Sequence, residues 1–510
     1  MVSAVSSLAQ LRDALESASS PLVLALPAGA RWDLQGVQLT IAMGVDATLL
    51  CEDEEGATLD AGGLSRAVAV SNGGRLTLQR VHLSGGVATN GGCALVNGTG
   101  AVLMLREAHL FECRATGALV TTAAATEFGL GGAIFVGGGA VATVFGSSIS
   151  DAVATGKIVS QDGSTTGGEG GAIHVAVNGA LHLAHSRIVR AAAIASESLV
   201  EGAFQAVASG GGVAVRGSAH VNMTTFENVS AQANFRAFGG AVFMAGVRLD
   251  LSGCTLVRAA AVTLMTMQGG MRVGGGVSVA AGDVLISSTT FDRSTVSGAR
   301  WATAAGAAVA VMGATARAVV RSSTIRRSSA LGNWGRGAIW AMAGTLELDD
   351  CTLHDAVTGG FSWAYGAALS LQGSPIVRVS NSTFDGARSS ANRGTYGGAI
   401  GMHTFAGTLI IADSLIIRAS ASSPSPRQRP PLEEGGGPYA AATRPTPPGR
   451  SCSLHLPPAR LPAGTSQSTA AASSSTATTP SWSSSTRASS ARVSRGPRPK
   501  EAASRSGAAG

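Results

Sequence analysis

Two glycines followed by small and aliphatic residues recur along this chain, and no other feature limits its fold so severely. The phrase reads GGAIFV from Gly131, GGAIHV from Gly170, GGGVAV from Gly210, GGAVFM from Gly239, GGGVSV from Gly274 and GGAIGM from Gly397. Degenerate copies are GAAVAV from Gly306, GAIWAM from Gly337 and GAALSL from Gly366. In these nine copies a second apolar anchor follows the first aliphatic by thirteen to sixteen residues, usually behind Thr or Ser. Such self-similarity marks a solenoid, whose units have no core alone and gain one by stacking.

Eleven anchors hold the register: Leu83, Leu110, Ile149, Ile188, Phe226, Leu256, Phe291, Ile325, Leu353, Phe384 and Ile416. Five residues before each stands an aliphatic residue, from Leu78 and Leu105 to Val379 and Ile411, and seven before stands another or an alanine. Apolar positions spaced by two predict a short strand with one buried face, and the break before the anchor predicts a bend into another strand. A unit of about thirty-three residues thus has a Gly-Gly strand, a middle strand and an anchor strand.

The expected fold is all-β: a single-stranded right-handed parallel β-helix of about eleven or more coils, with strands roughly 4.8 Å apart. Abundant alanine suggests helices, but glycine pairs and β-branched residues in every unit oppose them. Only Ser7 to Ser17 reads as helical, with Leu8, Leu11 and Leu15 behind a serine cap, covering the open end of the first coil.

Charge and proline divide the chain at one place. From Ala421 onward lie eleven Arg or Lys, three Glu and fourteen of the seventeen prolines, which leaves 26 basic and 27 acidic groups before it. A near-neutral body gives nucleic acid no basic surface, and no run approaches the ~18 apolar residues of a membrane span. The expected organisation is a cap at 1–21, the β-helix at 22–420 and a disordered Ser/Pro/Arg-rich tail at 421–510.

The Gly-Gly-Ala-aliphatic repeats, from about Gly91 to Ile416, resemble those of the chlamydial polymorphic outer-membrane proteins. The solenoid as a whole resembles the pectin-lyase-like right-handed β-helix superfamily. Where the former family carries Phe-x-x-Asn, this chain has Phe226-Glu227-Asn228, Phe291-Asp292-Arg293 and Phe384-Asp385-Gly386. The resemblance implies the fold and a surface-exposed, adhesin-like setting, not the secretion route.

Length variation falls between each anchor and the next Gly-Gly strand, from fourteen residues (Ile325 to Ile339) to twenty-five (Ile188 to Val213). The longest segments, Ala115 to Leu130, Ala154 to Glu169 and Ala193 to Ser209, read as loops along one edge, where a solenoid grows a binding face. Drift in loop length at small cost explains the same pattern. Beside these loops stands a row of aromatics: Trp301, Trp334, Trp340, Trp363, Tyr365 and Tyr396. They are candidate stacking platforms for a polysaccharide, or else they seal the corner of each coil. Arg258, Arg293 and Arg327 recur two residues after the anchor, a stripe for an anionic polymer or, beside Glu227, Asp292 and Asp385, an ion-pair ladder.

Glycosidic hydrolysis needs two carboxylates across the bond, and lyases typically need acids for calcium plus a base. The weak candidates are Asp292, Asp349, Asp350 and Asp385, none in a polygalacturonase-like signature. No His/Cys spacing suggests a metal. Cys254 and Cys351 stand in one small-residue column three coils apart, too far for a disulfide, and read as buried thiols; Cys93 and Cys113 are a candidate pair. Four glycosylation sequons, at Asn97, Asn222, Asn228 and Asn381, fit secretion, although chance alone predicts about two and no signal peptide opens the chain at Met1.

The expected function is a non-enzymatic extracellular or cell-surface rod, structural or adhesive, binding a glycan or cell-surface partner along its loop edge without a cofactor. The alternative is a polysaccharide lyase or glycoside hydrolase.

Overall fold

The computed structural model describes residues 2–17, 21–117, 128–157, 167–196, 206–263, 270–298 and 302–423; Trp301 and the tail from 424 onward lie outside the described residues. Among these, one helix, Leu8–Glu16, accompanies four parallel sheets of 14, 13, 12 and 18 strands. The chain winds as a right-handed parallel β-helix, and strands pair with their equivalents one coil away.

The middle sheet shows why the register holds. Leu76, Leu103, Ala142, Leu181, Ala219, Leu249, Val284, Ala318, Leu346 and Val377 are successive partners and all are buried. Leu251, Ile286 and Val320 form a second such row. A slip by one residue would turn both rows to water, so burial fixes the pairing. The anchor sheet has 13 strands because the ladder continues N-terminally through Arg31–Asp33 and Ala57–Asp60, ahead of the first counted anchor.

Left-handed backbone makes the bends. At the position three before each of the eleven anchors, from Arg80 to Asp413, φ lies between 45° and 61°. The next residue turns a backbone N–H toward the core, and a column of small polar side chains receives it. Ser147 Oγ accepts from the Ala108 N–H and donates to Phe145 O, Ser186 Oγ accepts from Ser147, Ser323 from Thr289, and Ser382 from Cys351. A second left-handed corner falls two residues after each anchor, with φ between 50° and 66°. The Gly-Gly corner is the tightest: Gly239 has φ +60°, and a Cβ there would stand 2.2 Å from Val242 O.

Two of the three phenylalanine anchors meet glycine across the coil, while Phe384 has Ala368 at that place. Phe226 and Phe291 face Gly212 and Gly276, where a Cβ would lie 2.9 and 2.8 Å from the ring. Coils anchored by Ile149 and Ile188 carry Ala133 and Ala172 at that place.

The expectation of three strands and a loop per coil is corrected here. The described ends of the variable segment are themselves sheet: Val153–Lys157 leaves the coil and Gly167–Glu169 returns, and the next coil repeats this with Ala192–Ser196 and Val207–Ser209. Outgoing and return strands stack into two ladders that together make the 18-stranded sheet. The ladders lie face to face as a thin fin, filled by Ala193, Ala208, Ala231, Ala237, Ala261, Val296, Ala304 and Ala330. A Cβ on Gly168 would stand 2.0 Å from Ala154 O, which shows how little space separates the layers.

Cys93 and Cys113 form a disulfide across the neck of the fin, with Cα atoms 5.4 Å apart, where a later coil has Ala172 and Ala191. Cys254 and Cys351 are buried thiols, pushed up to about 11 by burial.

At the N-terminal end Ser7 Oγ accepts from the Gln10 N–H, and the helix buries Leu11 and Leu15 over the first coil. Before it, Val2–Ala4 pairs with Leu22–Ala25 as an extra strand of the middle sheet.

Candidate functional site

Each return strand ends at a Gly-Gly corner. Side chains alternate, so the second residue of a return strand points into the fin while the first and third share its outer face. That face carries Trp334 opposite Trp363, and Arg336 opposite Tyr365, itself opposite Tyr396. The Gly-Gly strand adds its outward residue to the same angle, and there Trp340 is buried. The result is an aromatic notch between fin and coil.

The notch is continuous. Tyr365 and Tyr396 stack at 5.0 Å with 6° between planes, and Trp363 lies 5.6 Å from Tyr396. His403 stands 4.7 Å from Tyr365 and 6.3 Å from Trp334. The Arg336 guanidinium lies 5.6 to 5.8 Å from the rings of Trp334, Trp340 and Tyr365, the range of cation–π attraction. Gly394 completes the fit, since a Cβ there would stand 2.4 Å from the Trp363 ring.

Exposure separates floor from rim. Trp340 and Tyr365 are 1% and 3% exposed and seal the corner, whereas Trp334 and Tyr396 keep 37% and 46% of their surface open. Arg336 is 2% exposed, and its Nε lacks a hydrogen-bond partner. Burial pushes its pKa down to about 10, against the opposing pull of Tyr365. Burial likewise raises the Tyr365 phenol, and burial together with Arg336 lowers His403. A planar ligand face fits such a platform: it stacks on the open rings while polar edges meet the phenols.

Five of the six predicted aromatics therefore meet, and Trp301 lies outside the described residues. The predicted arginines do not join them. Arg258, Arg293 and Arg327 occupy the left-handed corner after the anchor, where the chain enters the fin rather than leaves it. Arg327 holds Asp292 through Nε and Nη2 at 2.9 and 2.7 Å, and Arg293 and Arg326 each approach it to 3.4 Å. Within the stripe Arg293 and Arg327 form ion pairs with Asp292, whereas Arg258 reaches the neutral Asn228 at 3.2 Å and Glu227 is taken by Arg187.

The four candidate acids are already partnered, and only Asp349 and Asp350 are neighbours. Asp385 is held by Arg418, Asp349 accepts from Ser380 and Asn381 at 2.7 and 3.1 Å, and Asp350 accepts from Ser322 at 2.9 Å. Burial raises Asp292, but the hydrogen bond from Arg327 and the three arginine charges outweigh it and leave its pKa low. The Arg418 hydrogen bond lowers Asp385, and those from Ser380 and Asn381 lower Asp349. A general acid for glycoside cleavage needs the opposite shift. Asp292 and Asp385 share a column three coils apart, roughly 14 Å by strand spacing and beyond the ~9.5 Å limit of an inverting pair. Among the described residues no group of three His, Cys, Asp or Glu is placed to hold a metal, and no helix is long and apolar enough to cross a membrane.

A depression of about 250 Å³ on the middle sheet is lined by Arg248, Asp250, Asp283, Arg317 and Arg321. Arg248 is bound to Asp250 and Arg317 to Glu347.

Two parts of this corner escaped the sequence reading. Arg336 directly precedes Gly337 just as Tyr365 and Tyr396 precede their glycines, so the repeat register would have placed it in their column. Toward the N-terminus, buried Glu169 binds Arg216 through both oxygens and stands 3.6 Å from buried His174, which stacks on Phe135 at 5.5 Å. His174 holds the outward Gly-Gly position that Trp340 holds later.

No family model matches the chain, and no curated protein does. Among solved structures it is similar to the catalytic unit of the GH87 α-1,3-glucanase from Streptomyces thermodiastaticus strain HF3-3, at 10% identity and TM-score 0.42, over 81% of this chain and 66% of that one. The chain thus spans just under two thirds of that glucanase unit's length. It is also similar to the tailspike protein of E. coli bacteriophage HK620, solved as an E372Q mutant with a pentasaccharide, at 9% identity and TM-score 0.25, over 81% and 76% of the two chains.

Proposed function

We propose that this chain is a non-enzymatic β-helix rod, displayed outside the cell, that binds polysaccharide in the aromatic notch. The observation that carries the reading is the pair of open rings, Trp334 and Tyr396, held in place by buried rings behind them. Sugars bury their CH faces on such rings, and a platform fixed before binding loses little freedom when the ligand arrives. The low pKa of Asp292, Asp349 and Asp385 favours binding over glycoside cleavage. The Cys93–Cys113 disulfide suits an oxidising compartment. Membership of the pectin-lyase-like superfamily, and kinship with the polymorphic outer-membrane proteins, belong to the same proposal and rest on the Gly-Gly repeats.

Affinity electrophoresis against a panel of neutral and acidic polysaccharides tests it. Trp334→Ala is expected to weaken binding about tenfold, equivalent to ~1.4 kcal/mol, with the circular dichroism spectrum unchanged. Full affinity in a Trp334→Ala/Tyr396→Ala double variant would refute the notch. Release of reducing or unsaturated ends from a bound polysaccharide, abolished by Asp349→Asn, would instead restore the enzymatic alternative.

A further inference from the structure

We propose that the fin encloses a small monovalent anion, of halide or carboxylate size, at Arg272. This arginine takes the second position of its return strand, where Ala237 stands one coil before and Ala304 one coil after. That position faces the alanine filling between the two ladders, and Arg272 is 0% exposed. Its Nε, Nη1 and Nη2 all lack hydrogen-bond partners.

The surroundings are shaped for the guanidinium and leave its charge unanswered. Nη1 lies 2.4 Å from where a Cβ of Gly298 would stand, and Nη2 lies 3.1 Å from that of Gly270. Val262 pairs with Ser297, so the following residue, Thr263, lies on the rung beside Gly298. Thr263 Oγ1 is buried without a partner. Between Asp250 and Glu347 the sequence has only two acids, Asp283 and Asp292. Asp283 is exposed on the middle sheet, and Asp292 is held by Arg327. An unpaired buried cation is among the most unfavourable groups a fold can carry, and alanine in both neighbouring coils shows that packing does not require it. An anion answers the charge through paired guanidinium N–H donors, with the Thr263 hydroxyl as a further donor.

Thermal unfolding of the full chain in rising sodium chloride, bromide, formate or acetate tests the site, with methanesulfonate as a bulky control at equal ionic strength. Melting temperature should rise and saturate with the anions that fit, and not with methanesulfonate. Chloride and bromide acting alone would identify a halide site, and formate and acetate alone a carboxylate site. Arg272→Ala, which carries the residue of the adjacent coils, should fold and lose the saturable rise. Crystals grown with bromide should show an anomalous peak within hydrogen-bond distance of the Arg272 guanidinium. An equal rise in Arg272→Ala, or bromide-grown crystals with no peak at Arg272, overturns the proposal. Because none of these readouts involves a glycan, they stand apart from the test of the notch.

Discussion

Left-handed backbone at Arg258, Arg293 and Arg327 explains a pattern that resembled a ligand stripe. The corner needs positive φ, which Gly, Asn or Asp adopts most readily; at Arg327 the long stem reaches Asp292 on the neighbouring coil, whereas Arg258 reaches Asn228 and Arg293 turns to Asp292 beside it. Arg327→Met should therefore destabilise the fold by on the order of 1 kcal/mol at neutral pH, allowing for the exposure of the arginine. Asp292 has a folded pKa below its unfolded value, so its contribution is present above about pH 4 and fades as pH falls through the folded value. Urea titrations of the two proteins should converge in acid. The hydroxyl column makes a second residue-scale claim: Ser186→Ala strands the buried Ser147 N–H and should cost about 1–3 kcal/mol. A similar cost measured for Ser150→Ala, outside the column, would remove the special role. The column was visible in the sequence as small residues two before each anchor, but its purpose was not, because nothing in one sequence reveals that φ is positive one residue earlier.

The core-forming strands announce themselves through contrast between Leu, Val or Ile and the polar residues between them. The fin strands lack that contrast. Runs such as Ala191-Ala192-Ala193 and Ala259-Ala260-Ala261 place alanine on both faces, so no period of two survives, and these strands of five and four residues read as loops. For the same reason the aromatics were found individually, while the notch that unites them depended on return strands the sequence did not show. Element packing also matches Phe291 to the glycine that faces it. Gly276→Ala should cost roughly 1–3 kcal/mol by overpacking against Phe291, and Phe291→Leu should recover part of that loss. A double-mutant cycle with no coupling between the two positions would contradict the matched sizes.

The molecule as a whole should lose stability in acid in two stages. Burial pushes His174 down to about 4, outweighing the attraction of Glu169, whereas an unfolded histidine titrates near ~6.5. The unfolded chain then binds the proton more readily, so stability falls as pH drops from about 6.5 toward 4, by on the order of 3 kcal/mol. Below that interval the depressed carboxylates Asp151, Asp292 and Asp385 add their own loss. Denaturation midpoints measured from pH 8 to 3 should show both stages, and His174→Gln should diminish the upper one, to which the lowered His82 and His403 also contribute, and leave the lower one unchanged.

From Val87 onward each turn reaches the fin through the same neck and bends at equivalent left-handed corners, so neighbouring turns meet through one common surface. A turn is therefore an exchangeable part. Duplication or excision of a single turn in the gene changes the length of the rod without reworking its neighbours, and the aromatic ledge can be copied or lost independently of the fold that supports it.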